Sequence, residues 1–237
     1  MSVRAPSRAV QMGWSVAVAT GLYAISFGAL AVAAGLTILQ TQALSALMFT
    51  GGSQFAFVGV IAGQGAGSTA TIAASLLGVR NAVYGVWANA TLRPKGWRRL
   101  AAAQVTIDES IAVGSAQTDP DERKRGFWAA GVGVFVMWNI FTLVGSLLGS
   151  RVGDTSAWGL DGAATAAFLG LLWPRLKGRE PIAIAVAGAL VTAVTIPFVP
   201  AGIPIVIAAA VAAVYAWFVP ERQPAAPGAA ARDGGAS

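Results

Sequence analysis

Long apolar stretches separated by short polar breaks dominate the chain. They run from Gly13 to about Leu36, from Gln42 to Ala62, from about Thr69 to Leu92, from Gly126 to Ser150, from about Leu160 to Trp173, from Pro181 to Phe198 and from about Ile203 to Phe218. A helix needs about 20 residues to cross the roughly 30 Å hydrocarbon core of a bilayer, and most of these stretches come close to that length. The first is longer than the roughly 7 to 15 apolar residues of a secretory signal, so it reads as a retained membrane helix. The second is interrupted at its centre by Phe49-Thr50-Gly51-Gly52-Ser53-Gln54-Phe55. Paired glycines weaken a helix, and broken backbone persists at membrane depth only where protein or a water-lined cavity satisfies the freed groups. The pattern therefore predicts an all-α integral membrane protein of about seven transmembrane helices, the second broken or re-entrant.

The polar breaks set the organisation. Arg93-Pro94-Lys95-Gly96-Trp97-Arg98-Arg99 and Asp119-Pro120-Asp121-Glu122-Arg123-Lys124-Arg125 are charged turns. Between them Leu100–Gln117 holds Asp108 and Glu109, too short and too charged for a span, and reads as one amphipathic or partly inserted helix. Residues 1–219 are expected to form a single polytopic domain. From Pro220 the chain is rich in Ala, Pro and Gly, which predicts a disordered tail over 220–237. The basic loops at 93–99, 123–125 and 175–179 belong on the cytoplasmic side. Seven full spans would then put the N-terminus outside, against Arg4 and Arg8, whereas a re-entrant second segment would put it inside; the sequence leaves both open. Three spans before the charged linker and three after it would form two inverted three-helix repeats, with Phe27-Gly28-Ala29-Leu30 and Val144-Gly145-Ser146-Leu147 at corresponding places.

Composition agrees with a bilayer as solvent: of 237 residues 56% are hydrophobic and 11% charged, against about 25% charged in a soluble domain. The net charge of +6 is explained by loop lysines and arginines, so no nucleic acid is implied. The chain has no cysteine and no histidine, which excludes disulfides, thiolate or imidazole metal sites and Cys or His catalysis. No metal or cofactor is expected.

Arg80 is the most informative residue. It lies near the middle of the third segment, too deep to snorkel, and an arginine there costs at least about 2.5 kcal/mol unless it faces the interior with an anionic or carbonyl partner. That partner is Asp108, Glu109 or Asp161 brought in by folding, or an anionic group of a substrate. Ser53 is placed to cap the second half of the broken segment, leaving the positive end of a helix dipole beside Arg80. Gln54 and Asn139, at comparable depth, add groups able to hold a zwitterion, with Gly51 and Gly52 opening the space. Asp108, Glu109 and Asp161 are the candidate proton carriers in a chain without histidine. An intramembrane enzyme is disfavoured, since no lysine or paired aspartate falls within the spans, and the seventh segment has no lysine for a retinal Schiff base.

The stretch Phe49–Phe55 resembles the F-x-G-A-S-Q-F signature of the AzlC (BrnF) family, the large subunits of bacterial branched-chain amino acid exporters. Arg80-Asn81-Ala82-Val83-Tyr84-Gly85 is similar to that family's N-x-R-H-x-x-Y-G, and Asp108-Glu109-Ser110 to its T-D-E-S. The likeness extends over about Phe27 to Leu172. Gly78 stands in place of the family's Asn, Asn81 of its His and Ile107 of its Thr. The resemblance implies a multi-pass protein of the bacterial plasma membrane and adds Asn81 and Tyr84 to the substrate-side candidates. It further implies secondary, proton-motive-force-linked export of valine, leucine, isoleucine or methionine with a small membrane subunit of the AzlD (BrnE) type. The competing expectation is the permease of an ATP-driven transporter, which would need a separate ATPase because the chain has no Walker A sequence.

Overall fold

The computed structural model describes residues 7–151, 169, 173, 176–199 and 203–218. The fifth apolar segment with Asp161, the N-terminal Arg4 and the tail over 220–237 lie outside the described residues. Among those described every regular element is a helix: α1 Arg8–Ala33, α2 Ile38–Leu47, α3 Gly52–Ala62, α4 Gly67–Leu92, α5 Trp97–Gln104, α6 Asp108–Ser115, α7 Pro120–Gly149, α8 Arg179–Thr195 and α9 Ile203–Phe218.

Local chemistry sets the helix starts. The Ser7 hydroxyl accepts from Val10 N–H to open α1, and Thr37 and Gln40 form a reciprocal capping box at α2. Asp119 accepts from the N–H groups of Asp121 and Glu122, with Pro120 at the first position of α7.

The core is the contact of α1 with α7. Small residues line it: Gly13 faces Ala130, Gly21 faces Met137, Gly28 faces Thr142 and Ser146, and Gly149 faces Ala29. In lipid, where apolar surfaces gain little by meeting one another, small residues that let backbones approach closely drive helix association. The contacts advance together along both helices, so α1 and α7 run parallel. Helix α4 runs the other way, its Trp87 beside Gly114 at the N-terminal end of α7 and its first turns beside the end of α3. α8 and α9 pack on each other and α9 on α4.

Two short hairpins enter this frame from opposite ends. α2 starts where α1 ends and carries the chain down until Phe49 meets Phe135 edge to face, about 20 Å before the end of α7 at 1.5 Å per residue. There the helix breaks, with Gly51 at φ +61°, a conformation that favours glycine. α3 then climbs back antiparallel to α4, pairing Ser53 with Gly78 and Val60 with Ala70 and Ala73. From the basic end, α5 climbs until Val105 meets Gly131, the chain turns at 105–107, and α6 descends until Val113 meets Gly126.

Several expectations are thereby corrected. The expected break in the second segment stands, and the chain turns back there from α2 into α3. Leu100–Gln117 is two helices, because Val105-Thr106-Ile107 turns in mid-run. Seven spans are not seen: α2, α3, α5 and α6 have 8 to 11 residues each, and among the described residues α1 and α7 are the helices both long and apolar enough to cross a membrane. The two three-span halves are not inverted copies, since their first helices, α1 and α7, are parallel.

Candidate functional site

The two hairpin tips meet at half height, and Arg80 lies between them. Thirteen residues into α4, it is carried to the level of both breaks because α3 and α4 are antiparallel. Its Nη1 donates to Asp108 Oδ2 at 2.5 Å and its Nη2 to the Thr50 carbonyl at 3.1 Å. One planar guanidinium thus ties the tip of one hairpin to the first residue of the other's second helix, α6, a geometry its fixed fork of donors suits. The two side chains remain 29% and 25% exposed, so the pair borders open space.

The electrostatics are consistent at each end. Thr50 follows the C-terminus of α2, where a cation is favoured; Asp108 begins α6, where a carboxylate is favoured. Gly51 supplies no side-chain cap to α3, and a Cβ on Gly52 would lie 3.4 Å from Arg80 Nη2, so the start of α3 opens directly toward the guanidinium.

The predicted residues divide. Gly51, Gly52, Arg80 and Asp108 converge. Glu109 follows Asp108, half-buried, and Tyr84 lies one turn beyond Arg80, also half-buried. Gln54 is fully buried, and its Nε2 donates 2.8 Å to the Leu44 carbonyl, fastening α3 to α2. Ser53 is not the cap: it sits inside the first turn of α3, and its buried hydroxyl has no partner among the described residues. Asn139 is not at the site, because its amide donates to Phe135 in its own helix while its carbonyl accepts from Gln42 on α2. An apolar groove of about 530 Å³, lined among others by Leu36, Leu44, Leu47, Phe57 and Ile61, lies in the crook of α2 and α3, away from Arg80.

Two groups at the site escape the sequence reading. One is the Thr50 carbonyl. The other is Gln104, whose Nε2 donates 2.8 Å to the Ala46 carbonyl across the two tips. The signal for Gln104 was a polar residue followed by the β-branched run Val105-Thr106-Ile107, which favours helix less than its neighbours do.

The AzlC protein family model matches residues 15–152, which span α1 through α7 and every site residue above. The chain belongs to the AzlC family. That gives it a membrane location and a membrane transport role in amino acid export. No curated protein and no solved structure matches it. For an AzlC protein, two of its departures from the family pattern fall on this site. Gly78 faces Ser53, and a Cβ there would lie 3.6 Å from the Ser53 hydroxyl that lacks a partner. Asn81, in the place of a histidine, has a buried carbonyl oxygen without a partner among the described residues.

Proposed function

We propose that the protein is a secondary exporter of branched-chain amino acids, valine, leucine and isoleucine, and of methionine, linked to the proton motive force and working with a small membrane subunit of the AzlD type. The observation that carries this reading is the partly exposed Arg80–Asp108 pair at the meeting of two helix breaks. A zwitterion fits between such partners, its carboxylate on Arg80 and its ammonium on Asp108. Ionic hydrogen bonds of this kind are roughly twice as strong as neutral ones. Gly52 leaves room at the guanidinium, with the apolar Leu77 side chain beside it for an aliphatic substrate.

The same arrangement supplies coupling. The substrate ammonium and a proton compete for the Asp108 carboxylate, so the site carries one or the other. A proton taken up from outside is released inside when substrate displaces it, and the substrate leaves in exchange. Arg80 is held in place by the Thr50 carbonyl when Asp108 carries the proton. The basic loops at 93–99 and 119–125 and the N-terminus lie at one end of the frame, which the positive-inside rule makes cytoplasmic.

The test is counterflow in proteoliposomes with labelled valine, leucine and methionine, with and without the small subunit. Exchange is expected without nucleotide, with net accumulation collapsing on addition of an uncoupler. Transport that requires ATP, or none of the three substrates exchanging under either condition, would sink this reading.

A further inference from the structure

We propose that the two hairpin tips are the two faces of a gate and that Gln104 is the positioning residue that latches them; this rests on the transport reading above. The latch is visible in the hydrogen bonds. The last carbonyls of α2 have no partners within their own helix and, away from water, must find donors elsewhere. Leu44 is served from within its own hairpin by Met48 N–H and the Gln54 amide. The Ala46 carbonyl is served by Gln104, which belongs to the other hairpin.

The second tip satisfies its own backbone. Ser110 Oγ accepts from Ile107 N–H and donates to the Val105 carbonyl, and Thr106 Oγ1 donates to the Ala102 carbonyl. The turn at 105–107 therefore keeps its shape without the first hairpin. Three kinds of contact join the tips among the described residues: the Gln104 amide, the Arg80 bridge from Thr50 to Asp108, and the apolar meeting of Ile107 with the Phe49 cluster.

Substrate entry between Arg80 and Asp108 breaks the second of these. The first still ties the two tips, and it is exposed, so water can take over the Ala46 carbonyl as the tips part. Each hairpin also joins the frame through backbone with positive φ, at Gly35 and Gln64 for one and at Arg93 and Gly96 for the other, places where a short turn can absorb rotation. Because the hairpins enter from opposite ends, withdrawing one opens the site toward one side and withdrawing the other opens it toward the second.

The chain has no native cysteine, so the test needs no background substitutions. The Gln104 side chain reaches farther than a disulfide spans, so Ala46→Cys/Gln104→Cys is bridged with a short, reducible bis-methanethiosulfonate. Leucine exchange should fall by about tenfold or more on bridging, as when an opening step is blocked, and return on reduction. A bridged protein that exchanges at the reduced rate, or cysteines that cannot be bridged, would overturn the gate.

A second arm needs no substrate, so an error in the substrate assignment leaves it intact. In the full chain carrying Thr50→Cys, adding Gln104→Ala should raise the rate of modification by a membrane-impermeant maleimide by about threefold or more, since the gate spends more time open. An unchanged rate would show that Gln104 holds nothing shut.

Discussion

At the scale of single residues, the site is a set of polar groups whose partners decide what each can do. The Ser53 hydroxyl has no partner among the described residues, and Gly78, which faces it, offers no side chain to supply one. Gly78→Asn has room, with ordinary contact to that hydroxyl, and also replaces a helical glycine. It should raise stability by about 1 kcal/mol, the usual worth of one hydrogen bond, read as a higher unfolding temperature in detergent; no rise would mean the amide points elsewhere. Arg80→Ala should abolish exchange with expression retained, and Arg80→Lys should rescue little, since a single ammonium cannot reproduce the fork to Thr50 and Asp108. Asp108→Asn should bind leucine at least about tenfold more weakly, a loss near 1.4 kcal/mol, and no longer respond to a proton gradient. Asp108→Asn vesicles that still concentrate leucine would remove Asp108 from the coupling. The depth of Arg80 was legible in the sequence because a lone charge in an apolar run has few places to go. Which of the three acidic candidates it meets was not, because Asp108 reaches it through a hairpin whose turn has no glycine or proline.

At the scale of elements, glycines separate contact from conformation. A Cβ at Gly28 would collide with the Thr142 carbonyl and lie 2.7 Å from Ser146 N, whereas one at Gly85 meets nothing among the described residues. Gly28→Ala should therefore cost about 1–3 kcal/mol or more by overpacking the α1–α7 contact. Gly85→Ala should be neutral or stabilising by up to about 1 kcal/mol, the helix preference of alanine over glycine. Equal unfolding temperatures for the two variants would mean that α1 and α7 are not so closely packed. Gly52→Leu belongs to the same scale: its side chain would enter the space beside Arg80 Nη2 and should stop exchange without unfolding the hairpin. The first break was readable because glycine and polar residues coincide at Gly51-Gly52-Ser53. The second was hidden in the apolar run Val105-Thr106-Ile107, which reads as continuous with its flanks. Ser53 and Asn139 were misjudged for one reason: depth along a helix can be counted from sequence, but the face a residue presents depends on what packs there.

At the scale of the whole molecule, the first hairpin bears on the topology that the sequence left open. Ala9 lies against Gly126 and Trp87 against Gly114, so the start of α1, the end of α4 and the start of α7 share one end of the frame. That end gathers Arg8, the 93–99 loop and the 119–125 turn. Seven full spans would have separated Arg8 from those loops; replacing one span by a hairpin returns the N-terminus to their side. Single cysteines placed in this cysteine-free chain check it directly. Ser7→Cys, Lys95→Cys and Lys124→Cys should be modified by an impermeant maleimide only in inside-out vesicles, whereas Ser68→Cys, exposed at the start of α4, should be modified only in right-side-out ones. Labelling of Ser7→Cys from the same side as Ser68→Cys would mean that the second segment crosses the membrane after all. The Arg80 site would then no longer lie between two hairpins entering from opposite sides, and neither the gate nor the exchange of substrate for a proton would have a path.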